Sequence, residues 1–353
     1  MQYPQTSPVE GLLSVIICNY NYERFVAAAI ESALAIDWPQ VEIIVVDDGS
    51  TDNSRAVIDT FVPKGIVAIY GENKGQVGAA AEGYRVCRGQ WILFLDSDDF
   101  VDRSIMREAA AVMKPGWSMV QFQMAVVDEF GKSSGHFFPK YRDDVTPQMI
   151  RHWISETDAY PTPPTSGNIL SREFLDKIYP FEEDMDRAID SYFLSTAPLL
   201  GDVLTVNKPC VSYRHHQSNR GAQSKFNISK VQADLKRHCT RCSYGTRMAL
   251  KYGAVVDADR WRYSFYNLAM RIASLRLAPD SHPLEADTVL KCLGDWTKSL
   301  SKDQGMSTAR HATMALWILS VALAPRAISQ PLVSWRFAPT SRPQLLKTLI
   351  RAT

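Results

Sequence analysis

Four short apolar runs within the first hundred residues restrict this chain more than any other feature. Leu13–Cys18 (LSVIIC), Val41–Val46 (VEIIVV), Ile66–Tyr70 (IVAIY) and Trp91–Leu95 (WILFL) are rich in β-branched and aromatic residues and show little polar alternation. Such runs read as strands buried on both faces. Helical patterns fill the gaps between them. Glu23–Ile36 sets Phe25, Ala29, Ser32, Ala33 and Ile36 on one face and is closed by Trp38-Pro39. Ser50, Thr51 or Asp52 can cap a second helix running to about Phe61, and Val77–Cys87 reads as a third. Strands alternating with helices predict an α/β fold, a mainly parallel sheet flanked by helices.

In such sheets ligands sit at the carboxyl ends of the strands. Three strand ends here carry polar signatures: NYNY after the first, DDGS after the second and DSDD after the fourth. The last is the most demanding. Asp96, Asp98 and Asp99 repel one another, so the segment is either a solvated turn or a place where a cation and a ligand gather the carboxylates. Mg²⁺ or Mn²⁺, which take oxygen ligands and bridge to phosphate, would suit the second reading.

Beyond Ser104 the pattern loosens. A helix to about Lys114, a strand at Met119–Val127 and a turn at DEFGKSSG precede a loop-rich stretch broken by Pro161, Pro163 and Pro164. A helix at Asp186–Leu199 and an extended segment at Gly201–Val206 follow, and from Lys230 onward the text is helical. The expected division is residues 1–225 for the α/β domain and 226–353 for a helical, basic region.

A net charge of +1 gives no global attraction to nucleic acid, and 46% hydrophobic with 22% charged residues is ordinary for a globular chain. The charge is unevenly spread. From Val231 onward there are about eighteen Lys and Arg against about eight Asp and Glu. Six scattered cysteines suit free thiols in the cytoplasm. The first twenty residues lack a basic n-region, and His311–Pro325 is shorter than the ~20 residues that span a bilayer. No spanning helix is therefore expected.

Taken in order, SVIICNYN (Ser14–Asn21), VVDDGSTD (Val45–Asp52), NKG (Asn73–Gly75) and LDSDD (Leu95–Asp99) resemble the nucleotide-binding half of the family-two glycosyltransferases. The resemblance implies a GT-A-like fold and an inverting transfer of sugar from a nucleotide-diphosphate donor to an acceptor hydroxyl, with Mn²⁺ or Mg²⁺. It implies Tyr20 against the base, Asp48 bonded to the base, Asp96 near ribose or sugar hydroxyls, and Asp98 as the metal ligand. Asp99 either supports the cluster or caps the following helix.

The family's catalytic base is a carboxylate downstream. Here Asp190 in DRAIDSYFL takes that place, followed by Tyr192-Phe193, with Asp184 and Asp186 as competitors. Ser166, Gly167 and Asn168 resemble a segment lining the donor and acceptor cleft. YRHHQSNR (Tyr213–Arg220) resembles a stretch whose His or Arg reaches the diphosphate or metal, with His216 preferred over His215. The implied acceptors are saccharides or lipid-linked saccharides in bacterial cell-surface assembly. The basic C-terminal region would suit peripheral contact at the inner membrane face or contacts in a homo-oligomer.

Two positions depart from the family. Ala79, Ala80 and Ala81 stand where Ala-Arg-Asn is common, and Ile189 stands where Glu often precedes the base. These motivate a rival, a non-catalytic nucleotide-sugar binder. A sugar nucleotidyltransferase is disfavoured because no Gly-rich loop follows the first strand. The CxxC of Cys239 and Cys242 lacks a second pair and reads as a packed pair rather than a zinc site.

Overall fold

A computed structural model describes residues 8–182, 185–216, 219, 226–338 and 342. Asp184 and Arg220 lie outside that set, as does residue 225, where the first domain was expected to end. The chain divides into two compact units. One comprises residues 1–152, 161–216 and 247–255, and the other 153–160, 217–246 and 256–353.

In the first unit, β1 (Val9–Asn19), α1 (Val26–Leu34), β2 (Val41–Asp47), α2 (Ser54–Asp59), β3 (Val67–Tyr70), α3 (Gly75–Val86) and β4 (Gly89–Asp96) alternate as expected. The four strands are parallel in the order β3-β2-β1-β4. Leu13, Val15 and Ile17 on one face of β1 pack with Val26, Ala29, Ile30 and Ala33 of α1, which recur at helical spacing. On the opposite face α3 approaches closely because Gly83 has no side chain. A Cβ there would lie 2.4 Å from Ile16 Cγ2.

The chain continues as β5 (Phe100–Val101), α4 (Ile105–Ala110), β6 (Trp117–Val127), β7 (Ser133–Phe138), α5 (Pro147–Thr157), β8 (Asn168–Ser171), α6 (Arg172–Ile178), α7 (Asp190–Leu200) and β9 (Asp202–Arg214). Past β4 the sheet is mixed. β8 runs antiparallel to both β4 and β6, β9 is parallel to β6, and β5 closes the edge antiparallel to β9. This last pairing matters for function. Phe100↔Ser212 and Val101↔Val211 bring the end of β9 onto the turn that follows β4.

The second unit contains α8 (Ile228–Lys251) up to residue 246, α9 (Phe265–Leu277), α10 (Val289–Ser299), α11 (Thr308–Leu323) and α12 (Arg326–Phe337). Leu235, Leu268, Ile272, Cys292, Ile318, Val321 and Val333 form its core. Several of its cations are internal. Arg271 is 2.6 Å from Asp287 and 2.8 Å from Asp295, and Arg260 is 2.8 Å from Asp158. Burying charges this way is tolerable only because each is paired. α11, which carries the apolar ALWILSVALA segment, buries Ala315, Ile318, Val321 and Ala322 and exposes Leu316 and Leu323. Among the described residues no helix is long and apolar enough to cross a membrane. Cys242 is buried and Cys239 half-buried, and burial pushes the Cys239 thiol up to about 11.

Candidate functional site at the strand ends

Asp47 ends β2 beside Asn19 of β1 and is buried. Its carboxylate accepts hydrogen bonds from the Asn19 amide (3.0 Å), the Ser50 N–H (3.1 Å) and Arg55 Nε (2.8 Å). Burial alone would raise its pKa, but the bonds from Ser50, Arg55 and Asn19 outweigh that and hold it below the usual carboxylate value. Asp47 therefore holds the turn.

Asp48 follows, 6% exposed, and its Oδ1 accepts the backbone N–H of Lys74 at 2.7 Å. Burial raises its pKa, the charge of Asp47 adds to this, and the Lys74 and Gly75 N–H groups oppose it. The turn closes at Gly49, where φ is +79° and a Cβ would meet the Asn73 N–H at 2.8 Å. Only glycine lets the two loops lie this close.

The DSDD turn separates its carboxylates. Asp96, at the end of β4, accepts from the Gln76 amide at 2.7 Å. Asp98 Oδ2 lies 3.0 Å from His216 Nε2. Asp99 points inward, 1% exposed, and accepts from the Ser166 hydroxyl at 2.7 Å and the Arg214 N–H at 3.0 Å. Burial first, then the charges of Asp98 and Asp96, pushes the Asp99 carboxyl well above its ordinary range. Its role is thus to support the cluster from within, with no part in capping the next helix. Ser166 also accepts the Asp96 N–H at 3.1 Å, so one hydroxyl fastens both ends of the turn.

Arg214 ties the cluster to β9. Its Nε donates to the Asp98 carbonyl at 2.8 Å and its Nη1 to the Glu129 carbonyl at 2.9 Å, while the guanidinium lies 5.0 Å from the Phe25 ring and 5.2 Å from that of Phe100. His216 is held between rings, 4.8 Å from Phe25 and 5.7 Å from Tyr22. A rigid imidazole beside a carboxylate makes a two-donor edge. Among the described residues no group of three or more His, Cys, Asp or Glu converges to hold a metal alone. Such an edge fits a divalent cation whose remaining ligands are phosphate oxygens and water.

The other expected residues are placed as follows. Tyr20 is 43% exposed on the loop after β1. Asp190 is the half-buried first residue of α7, anchored by the fully buried Tyr192 and Phe193. Asp186 accepts from the Ser191 hydroxyl and the Arg187 N–H, which fixes the entry to that helix. Asn168 is buried in β8, its amide donating to the Pro164 carbonyl at 2.9 Å, and Gly167 lies against Pro163 where a Cβ would come within 2.5 Å. These two shape the proline loop that carries Ser166. Gln76, Tyr22 and Phe25 were not anticipated as site residues, and Arg214 lies in the Tyr213–Arg220 stretch from which a His or Arg was expected. Gln76 occupies the helical face of α3 one turn before the fully buried Ala80.

An α/β sheet with carboxylates gathered at its strand ends and a helical second unit is the arrangement that the GT-A resemblance implies. Residues 14–177 match the family described as glycosyl transferase family 2. An uncharacterized glycosyltransferase of Nostoc sp. is 30% identical over 257 residues, 67% of this chain and 79% of that protein. The chain belongs to glycosyl transferase family 2. A UDP-Glc:α-D-GlcNAc-diphosphoundecaprenol β-1,3-glucosyltransferase of Escherichia coli is 38% identical over 90 residues, 25% of this chain and 36% of that one. Among solved structures, S. aureus TarS 1–349 in complex with UDP-GlcNAc has the same fold, with a TM-score of 0.53, 16% identity, and coverage of 91% of this chain and 90% of that one.

Proposed function

We propose that this glycosyltransferase moves a sugar from a nucleotide-diphosphate sugar to an acceptor hydroxyl with inversion at the anomeric carbon. The observation that carries the reading is the convergence of Asp48, Asp96, Asp98 and His216 at the carboxyl ends of the strands. Tyr20 offers an exposed ring face to the base, Asp48 a hydrogen-bond partner for it, and Asp96 an acceptor for ribose or sugar hydroxyls. Ser166 fixes the turn between donor and acceptor.

Asp98 and His216 would hold Mn²⁺ or Mg²⁺ together with the diphosphate. When bound, the cation neutralises charge on the leaving group. Asp190 acts as general base: it takes the proton of the acceptor hydroxyl as that oxygen bonds to the anomeric carbon and the bond from that carbon to the diphosphate oxygen breaks. Asp186, the competitor in the same segment, accepts the Ser191 hydroxyl and the Arg187 N–H at the start of α7.

The acceptor is a saccharide or lipid-linked saccharide in bacterial cell-surface polysaccharide or glycolipid assembly. The E. coli relative, a glucosyltransferase acting on a diphosphoundecaprenol-linked sugar, supports that class. The protein would work in the cytoplasm, at the inner membrane face. Exposed Leu316, Leu323 and Ile328 supply apolar contact there, or a contact between copies.

Stereochemistry tests the mechanism directly. NMR of the first-formed product should show the anomeric configuration opposite to that of the donor; retained configuration would overturn single displacement with Asp190 as base.

A further inference from the structure

The residue that grips Asp96 lies on no motif. Asp48 and Asp96 stand on either side of the end of β1, where Cys18 pairs with Val46 on one strand and Asp96 on the other. Both carboxylates act on the Cys18 thiol, whose pKa is raised by burial first and then by Asp96 and Asp48. One short segment reaches both. The backbone N–H of Lys74 donates to Asp48 Oδ1 at 2.7 Å and, two residues on, the side-chain amide of Gln76 donates to Asp96 Oδ1 at 2.7 Å.

A carboxylate at a strand end is free to rotate about its terminal torsion unless something fixes it. Here the start of α3 fixes Asp96 with a side chain and Asp48 with its backbone. We infer that Gln76 is a positioning residue of the donor site: through Asp96, it sets the geometry in which a nucleoside diphosphate is bound, an inference that rests on the donor-site reading above. The mechanism is preorganisation, since a carboxylate already oriented loses less freedom when the ligand arrives. Gln76 is neutral, so it orients Asp96 without discharging it. The Lys74 ammonium is turned away to Glu82, at 3.2 Å, and the nearest replacement for a cation on this face of α3 would be at Ala80, which is fully buried.

The test is a double-mutant cycle on the full chain, with UDP, GDP and dTDP as probes in the presence of Mg²⁺ and affinity read by calorimetry. Gln76→Ala should weaken the best-bound diphosphate on the order of 10-fold. Gln76→Glu, of equal size but repelling Asp96, should weaken it more. The Asp96→Ala, Gln76→Ala double variant should bind no worse than Asp96→Ala alone, because Gln76 then has nothing to orient. A purely structural role would make the two losses multiply, and that result overturns the inference. Gln76→Ala within twofold of wild type overturns it equally. Should Gln76→Ala unfold, Gln76→Asn, which keeps the amide but falls short of Asp96, takes its place with the same expectation. Wild-type protein that binds none of the three diphosphates would instead remove the donor-site reading itself.

Discussion

His216 Nε2 lies 3.0 Å from Asp98 Oδ2, joining the end of β9 to the turn after β4 across 118 residues of sequence. The sequence offers Asp98 as a metal ligand by resemblance; the fold adds the imidazole, wedged against Phe25 and Tyr22, and the two form a rigid edge. Asp98→Asn should lower kcat roughly 100-fold or more. It should also weaken Mn²⁺-dependent donor binding with little change in Tm. Titration of donor binding with Mn²⁺ checks this, and unchanged metal dependence would remove Asp98 from the metal site.

Asp99 makes a prediction about stability and pH. A raised folded pKa means that the folded chain holds this proton more tightly than the unfolded chain. Its contribution is therefore full below the unfolded value of about 3.9 and is lost as pH rises through the folded value. Asp99→Asn cannot ionise and escapes that loss. The Tm of the variant minus that of wild type should increase as pH is raised from about 4 and then level off. A difference that stays flat with pH would show that Asp99 ionises in place as readily as in the unfolded chain.

Asp47 has the opposite sign. Its folded pKa is depressed, so its contribution is present above the unfolded value and is lost as pH falls through the folded one. Asp47→Ala leaves the buried Asn19 amide and the Ser50 N–H short of an acceptor and should cost about 2–4 kcal/mol near neutral pH. Arg55→Ala removes a partner whose side chain is 46% exposed, with its bond to the Gly71 carbonyl, and should cost under ~1 kcal/mol. Urea unfolding of both variants separates the cases; equal costs would mean that the ion pair, rather than the polar turn, stabilises this corner.

The parallel half of the sheet was legible because each strand is continuously apolar and each helix repeats at helical spacing. What was not legible has physical causes. β8 is four residues long and follows three prolines, so no window of sequence carries its period, yet all four residues are buried between β4 and β6. β9 runs to Arg214, well past the expected end at Val206, because the sheet absorbs Asn207-Lys208 and Cys210 through shifts of register opposite Phe122–Met124. The strand-end carboxylates were readable as motifs. Their partners Gln76 and Phe25 were not, and Arg214 was readable only as part of the Tyr213–Arg220 stretch, since each acts across a contact that only the folded topology creates. The same limit applied to the basic C-terminal third, where Arg260, Arg262 and Arg271 serve internal ion pairs.

That buried network gives a fourth expectation. Arg271 is 1% exposed and bridges Asp287 and Asp295. Burial would raise the Asp287 carboxyl, but hydrogen bonds from Arg271 and His282 hold it far below the usual range. Arg271→Met fills the space but takes the Arg271 bonds from both buried carboxylates, leaving Asp295 to Arg262 and Asp287 to His282, and should cost about 3–5 kcal/mol in urea unfolding of the full chain. A loss under ~1 kcal/mol would mean that water or a rearranged Arg262 satisfies them.

The central claim is that the strand-end carboxylates bind a nucleotide sugar and that Asp190 completes its transfer. The most direct measurement is release of nucleoside diphosphate from a panel of activated sugars offered with lipid-linked and free saccharide acceptors, with Mn²⁺ or Mg²⁺ against chelator, for wild type and Asp190→Asn. Release from one donor that requires the metal and acceptor, and that Asp190→Asn abolishes while still binding the donor, is the predicted result. Undiminished turnover by Asp190→Asn, or donor binding by wild type without turnover on any acceptor, would contradict it.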